Sequence, residues 1–206
     1  TQSTNENVPA RAGLADTKLD QRDFESFNEI YKKVVAVNPD EDSVKELIRK
    51  RAIYYSPMVT GDFEFANGKS SAQSLNSGTA DMRIYSDPIS DSFRVYGRFR
   101  GLYSGPAVQS SLSAGAVGVK YTAEGHDLAV EGGSRNYAKV EGTKYLNDSW
   151  SGTLAFEKNG FYLFPGSLYP TYMGNVASGT VNWKNNDNQK AFIGYQYWSL
   201  TDNNQQ

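Results

Sequence analysis

The sequence predicts a mainly β protein, in which two short α-helices precede an antiparallel lipocalin-like barrel or a strongly curved sandwich of about 8–10 strands. Three observations support this fold class. Apolar residues recur at helical spacing between residues 18 and 55, and from residue 57 the apolar period changes to two. Glycines recur inside the candidate strands, where they permit sharp curvature. We therefore divide the chain into a flexible arm, a helical segment, a barrel domain and a polar tail, at 1–17, 18–55, 56–200 and 201–206.

The N-terminal arm, residues 1–17, is polar, contains Pro9 and Gly13 and shows no apolar periodicity. We expect it to be flexible, because it has no apolar face to bury. The helical spacing that follows predicts a first helix, which ends at Asn38-Pro39 because a residue before proline avoids the helical region. The apolar positions of this helix are Leu19, Phe24, Phe27, Ile30, Tyr31, Val34 and Val35.

Ser43 and Glu46 have the spacing of a capping box before an apolar run, which predicts the start of a second helix. Three apolar residues of that helix, Val44, Leu47 and Ile48, share one face. Acidic and basic residues balance across both helices, so we interpret their charge-rich face as a solvated one.

The barrel domain contains short segments that alternate apolar and polar residues between turn signals. The candidate strands are 57–66, 80–86, 92–100, 107–112, 115–123, 127–133, 137–145, 149–157, 161–165, 175–183 and 190–199. Many short antiparallel strands with interior glycines favour a closed barrel or a strongly curved sandwich.

The pairing of 127–133 with 137–145 fixes this class of fold. If Val130 faces Val140, one side of the pair is apolar, and the other side carries Glu131 opposite Lys139. A slip of one residue would exchange the two faces, so this register is strongly specified.

A second hairpin is predicted at Asn159-Gly160, because a type I′ turn needs positive φ at both central residues. This turn would place Phe156 opposite Leu163. Its second arm, Phe161 to Phe164, is apolar on both faces. One of those faces must therefore meet an additional element, a ligand or a partner.

The composition excludes several classes of function. The net charge of −2 offers no bulk attraction to nucleic acid or to an anionic membrane. The chain has no cysteine, which excludes disulfides, thiolate metal sites and cysteine nucleophiles. No apolar run is long enough for a membrane helix, and we expect no membrane span. The many tyrosines, glycines, asparagines and serines are typical of a secreted or cell-surface β protein.

No catalytic constellation stands out, and we expect neither a cofactor nor a metal. His126 is the only histidine and lies in a predicted turn, which favours an exposed position. Asp62 and Glu64 share one strand face without a recognisable cleft. The sequence contains no nucleophile elbow, P-loop or dinucleotide fingerprint.

Four arginines fall on the polar phase of two neighbouring strands and are a possible anion-binding stripe for phosphate or an anionic glycan. They are Arg83, Arg94, Arg98 and Arg100. The alternative is a solvated face balanced by Asp81, Asp87 and Asp91.

The segment from Asn159 to Trp183 contains no charged residue and is rich in aromatic side chains. It is either ordinary core with a packed loop or a binding surface, since binding residues concentrate in loops on a rigid sheet. The second interpretation predicts a contact site for an apolar small molecule or a protein partner, built from Tyr162, Phe164, Tyr169, Tyr172 and Trp183.

Residues 129–143, Ala-Val-Glu-Gly-Gly-Ser-Arg-Asn-Tyr-Ala-Lys-Val-Glu-Gly-Thr, resemble the strand–GG(S/T)-x-x-Tyr/Phe–strand segment of allene oxide cyclase and dirigent-type barrels. The resemblance implies a small lipocalin-like barrel. In those families the segment is mainly structural, so the resemblance brings no catalytic residue to this chain.

These observations favour a secreted or surface-exposed, non-enzymatic binding or host-interaction protein with an aromatic contact site. One alternative is a small β-barrel enzyme of cyclase or isomerase type, and another is a structural subunit of a phage or virion. An outer-membrane barrel is a fourth reading: the last strand, 191–198, suits it, whereas the charged strands and the polar tail argue against it.

Overall fold

The computed structural model describes residues 7–69, 74–105, 110–163, 171–186 and 189–200. Within these ranges the chain forms three helices followed by one mainly β unit, which confirms the predicted fold class. The helices are α1 (Val8–Asp20), α2 (Phe24–Val37) and α3 (Asp42–Tyr54). None of the described helices is both long and apolar enough to cross a membrane.

The described residues form nine antiparallel strands in a single sheet, in which each strand pairs with the next one along the chain. They are β1 (Met58–Lys69), β2 (Ser74–Tyr85), β3 (Phe93–Gly105), β4 (Ser110–Ala123), β5 (His126–Gly133), β6 (Ala138–Tyr145), β7 (Trp150–Leu163), β8 (Thr171–Asn186) and β9 (Gln189–Leu200). The described part of the predicted strand 107–112, residues 110–112, and the predicted strand 115–123 belong to one strand, β4.

The prediction of a flexible arm over 1–17 was wrong from Val8 onward, because α1 begins there. The Asn7 side chain caps this helix by accepting a hydrogen bond from the backbone N–H of Ala10 at 3.2 Å. Ala12 and Ala15 are buried against the other two helices. Small residues let helices approach closely, and they gave no amphipathic signal in the sequence.

The predicted capping box at Ser43 is also wrong. Helix α3 begins one residue earlier, at Asp42, and its N-cap residue Glu41 makes no side-chain cap. The Ser43 hydroxyl is buried without a hydrogen-bond partner. In contrast, the side chain of Asp23 caps α2 by accepting from the backbone N–H of Ser26 at 3.2 Å.

The predicted register of β5 and β6 is confirmed. Val130 pairs with Val140, and Glu131 pairs with Lys139. The turn between these strands is a short 3-10 segment, Ser134–Asn136. The agreement shows that alternation of apolar and charged residues specified this pairing without any tertiary information.

Asn159-Gly160 does not form the predicted hairpin. Strand β7 continues through it, and Phe156 pairs with Val140 and Ala177 instead of Leu163. Asn159 takes the positive φ, 53°, that the turn required. It uses this conformation in a β-bulge, where its backbone N–H donates to Asn175 Oδ1 at 3.1 Å.

The sheet is curled into a half-barrel, as one side-chain contact shows. Strands β3 and β7 are four positions apart, which on a flat sheet would separate them by about 19 Å. Nevertheless Nη1 of Arg100 on β3 lies 3.1 Å from Oε1 of Glu157 on β7. The face that carries these two side chains is therefore concave, and we call it the inner face; the convex side is the outer face.

Candidate functional site: a charged inner face and an apolar outer face

Successive residues of a strand point to opposite faces, and here the two faces differ sharply in chemistry. The inner face carries all the acidic residues of the strands whose side chains are described. Its charged residues include Asp62, Glu64, Asp81, Arg83, Arg94, Arg98, Arg100, Lys120, Asp127, Glu131, Lys139, Glu141 and Glu157.

The outer face is apolar and exposed wherever its side chains are described. Its large residues include Val59, Phe63, Ile84, Phe93, Val95, Phe99, Val117, Val119, Leu128, Val130, Val140, Leu154, Phe156, Val181, Ile193 and Tyr195. Where side chains are described, the only basic residues on this face are His126 and Lys144, near strand ends, and Lys158, within β7 opposite the first residue of β6.

The buried apolar residues lie mainly outside the sheet. Eight of them form one cluster within the three helices, whose largest fully buried members are Phe27 and Leu47. The described sheet contributes few, among them Tyr85 and Tyr96 on the inner face. The helices therefore have a conventional apolar core, whereas the sheet has its polar residues on the concave inner face and its apolar residues on the convex outer face.

Arg98 organises the inner face. Its side chain is only 5% exposed and forms ion pairs with Asp81 on β2 and Glu131 on β5. Its Nη1 also donates to the Tyr137 hydroxyl at 2.8 Å. Because Arg98 on β3 contacts both β2 and β5, it ties neighbouring and more distant strands together. We call these residues, with Tyr96, the Arg98 network.

Tyr96 joins this network by lying across the intervening strand. Its hydroxyl donates to Oε2 of Glu131 at 2.8 Å, over Gly118 on β4. A Cβ added at Gly118 would lie 2.5 Å from Cζ of Tyr96 and 2.7 Å from the carbonyl oxygen of Val130. Glycine is therefore required at this position by the close approach of its neighbours.

The four arginines of the predicted stripe do share the inner face, but their charges are largely compensated by protein groups. Arg100 pairs with Glu157 and lies 3.5 Å from Asp81, and Arg83 lies 4.0 Å from Asp81. Arg94 instead reaches the helix end of the sheet, where its guanidinium donates to the backbone carbonyl of Ser86 at 2.7 Å. This arrangement cross-links strands, and it leaves little positive charge for an anion.

The structure describes the positions of three of the five residues of the predicted aromatic contact site, so the site as a whole stays a prediction. Phe164 and Tyr169 lie outside the described residues, and Tyr162 pairs with Tyr172 across β7 and β8. Trp183 lies on the same strand as Tyr172 but eleven residues further on, a distance of about 36 Å along the strand. Its indole ring packs near that of Trp150, with centroids 6.5 Å apart.

The helices adjoin one end of the sheet, where β2 ends and β3 begins. Asp91, in the turn between those strands, accepts hydrogen bonds from Asn28 at 3.0 Å and from the Tyr55 hydroxyl. Burial and this bond to the carboxylate raise the pKa of Tyr55 to about 12. Arg22, between α1 and α2, pairs with Asp127 at the start of β5.

Sequence reasoning named Asp81 as a charge that balances the arginines but missed their other partners. Glu131 was assigned only to the polar side of its strand pair, and Tyr96 and Tyr137 were given no role. One signal was present: Asp81 and Arg98 belong to the same strand phase, because Asp81 pairs with Arg100 and Arg83 with Arg98. What the sequence lacked was the curl that brings non-adjacent strands together.

No protein-family model, curated protein or solved structure matches this chain. The resemblance of residues 129–143 to allene oxide cyclase and dirigent-type barrels therefore stays a prediction. Among the described residues, no group of three or more histidine or carboxylate side chains is placed to hold a metal ion.

Proposed function

We propose that the sheet lies in a lipid bilayer and forms part of the wall of a passage for polar solutes. The observation that carries this proposal is the distribution of charge. The outer face is apolar across nine strands, and the acidic residues described on the strands point inward. A sheet surrounded by water needs the opposite arrangement, whereas a membrane barrel alternates apolar residues outside with polar residues inside.

The height of the apolar band supports the same conclusion. On β3 the outer face runs from Phe93 to Tyr103, ten residue steps that span about 34 Å along the strand. At the tilt of about 45° that is typical of membrane strands, this length corresponds to a height of about 24 Å. Membrane barrels present an apolar band about 25 Å tall.

Aromatic pairs on the outer face mark one edge of this band. At the helix end of the sheet, Phe93 packs on Tyr121 with ring centroids 4.8 Å apart, and Trp150 packs near Trp183. Tyrosine and tryptophan are enriched where a bilayer meets water, because their rings suit the headgroup region. The helices, with their own core, would then occupy the aqueous side at that edge.

The charged strands argued against a membrane barrel when only the sequence was considered. Their charges alternate in phase with the inner face, where Arg98, Arg100 and Lys139 meet carboxylates. An inner face of balanced charge favours contact with water and with polar solutes rather than with lipid. This proposal takes the place of the secreted binding protein that the sequence favoured.

Two adjacent residues of β8 provide a direct test. Ala177 is exposed on the outer face, and Ser178 is less exposed on the inner face. The chain has no cysteine, so Ala177→Cys and Ser178→Cys each introduce a single thiol with little change in volume. Both variants are reconstituted in phosphatidylcholine vesicles and treated with a membrane-impermeant, water-soluble maleimide.

We expect Ser178→Cys to react and Ala177→Cys to be protected until the vesicles are dissolved in a denaturing detergent. A folded protein in water gives the reverse order, because its Ala177 position is the more accessible of the two. Faster reaction of Ala177→Cys in vesicles, or failure of the chain to associate with vesicles, would contradict the proposed function.

A further inference from the structure

At the helix end of the sheet, consecutive strands each place one outer-face residue at the edge of the apolar band. From β3 to β8 these residues are Phe93, Tyr121, His126, Lys144, Trp150 and Trp183. Two aromatic residues thus flank each side of two basic ones. We call these six residues the rim arc.

The two basic residues stand side by side at the centre of the rim arc. His126 and Lys144 pair directly across β5 and β6, so their side chains are neighbours on the outer face. Both are exposed, and the His126 ring packs near Tyr121 with centroids 5.8 Å apart. Lys144 forms no ion pair with a described residue, in contrast to the inner-face Lys139, which meets Glu141 at 2.7 Å.

The carboxylates of this end of the sheet face elsewhere. Glu124 and Asp148 lie in the turns that border β5 and β7, and together with Asp20 they line a cleft between the turns and the helices. Asp127 points to the inner face, where it pairs with Arg22. No described acidic side chain therefore forms an ion pair with Lys144, whose Nζ lies beside Gly125 in the turn after β4.

We propose that the rim arc binds the phosphate of an anionic phospholipid headgroup, an inference that rests on the proposed function. Lys144 supplies the charge and His126 a polar ring beside it, while Trp150 and Trp183 hold the adjoining glycerol and acyl region. Trp150 is the diagonal neighbour of Lys144, since Lys144 pairs with Gly152. Juxtamembrane lysines favour anionic lipid by about 1 kcal/mol each, or about fivefold.

Tryptophan quenching in vesicles measures this preference at the rim arc itself, because Trp150 and Trp183 are two of the three tryptophans. The full chain is reconstituted in mixtures of phosphatidylglycerol and phosphatidylcholine. In one series only the phosphatidylglycerol carries brominated acyl chains, and in the other only the phosphatidylcholine does. The two quenching curves together give the relative association constant of the two lipids.

For the unsubstituted chain we expect phosphatidylglycerol to be favoured about fivefold. Lys144→Gln should bring the ratio close to one. Lys158→Gln is the matched control, because Lys158 also lies on the outer face, opposite Ala138 at the other end of β6 and eight residues from Trp150 along β7. It should leave the ratio unchanged.

The possible failures are distinguishable. Quenching by neither lipid would show that the sheet is not in the bilayer, which would overturn the proposed function as well. Equal quenching by both lipids in every variant would retain the bilayer position and overturn the lipid site. Displacement of brominated phosphatidylglycerol by inorganic phosphate would overturn the assignment to a lipid headgroup, because it would identify a site for the free anion.

Discussion

Val117 and Val37 offer a comparison in which only the surroundings differ. Val117 is 69% exposed at the centre of β4 on the outer face, and Val37 is 68% exposed at the end of α2. The same substitution, valine to arginine, therefore adds the same charge at two positions of equal exposure. Any difference in cost reports the medium around the outer face.

The expected magnitudes separate clearly. In water, exposed substitutions away from special features change the free energy of unfolding by no more than about 0.5 kcal/mol, so both variants would be nearly neutral. In a bilayer, an arginine on the lipid face of a barrel costs about 2–4 kcal/mol at the midplane. We expect Val117→Arg to lose stability on that scale and Val37→Arg to remain within about 0.5 kcal/mol of the parent.

Chemical unfolding from phosphatidylcholine vesicles, followed by tryptophan fluorescence, measures both variants against the parent chain. Reversibility is checked by dilution, since an equilibrium free energy requires it. Equal and small losses for the two variants would refute the bilayer position of the outer face. A large loss for Val37→Arg would show instead that α2 docks against something through this residue.

Three further predictions concern local structure. Ser43→Ala should leave the stability of the helices unchanged or slightly raised, because its buried hydroxyl has no partner, whereas Asp23→Ala should cost about 1 kcal/mol in thermal unfolding by circular dichroism. Gly118→Ala should cost about 1–3 kcal/mol, because the new methyl group meets backbone and a ring, and a neutral result would contradict the close approach. The contribution of Tyr55 should be complete below about pH 10 and lost as the pH rises to about 12, because its pKa is raised in the folded chain. Helical circular dichroism and tyrosinate absorbance should change together in that window, and Tyr55→Phe should reduce the alkaline loss.

The sequence predicted pairing well where one short-range rule decided it. The β5–β6 register followed from two apolar residues, Val130 and Val140, and one charge pair. The prediction failed at Asn159-Gly160, because both a hairpin turn and a β-bulge use a residue with positive φ. Only the pairing with the neighbouring strand β8 decides between the two. The prediction failed at α1 because alanine packs well between helices without marking a face.

The sequence predicted which residues share a face of the sheet, but not which face is concave and which is convex. Alternation with period two indicates which residues share a face. The same pattern of alternation is expected for a barrel in water and for a barrel in lipid. The direction of curl decides which face is concave, and that depends on contacts between strands far apart in sequence, such as Arg100 with Glu157. Spacing along the chain also does not reveal that Trp183 lies at the opposite end of a strand from Tyr172, two residues of the predicted aromatic site.

The Arg98 network allows a test of whether water reaches the buried ion pairs of the inner face. The side chains of Arg98 and Glu131 are 5% and 2% exposed, so Arg98→Met would leave the buried Glu131 carboxylate without its arginine, whereas Asp81 would keep Arg100 and Arg83 nearby. Removing one member of a buried ion pair costs about 3–5 kcal/mol. We expect that loss for Arg98→Met in the vesicle unfolding assay, and a partial recovery when Glu131→Gln is added, since the second change removes the unpaired buried charge.

Lys139→Met is the control, because Lys139 meets the more exposed Glu141 and its loss should cost no more than about 1 kcal/mol. A loss below about 1 kcal/mol for Arg98→Met would mean that water reaches the network and replaces the arginine, in which case the ion pairs align the strands without holding them together.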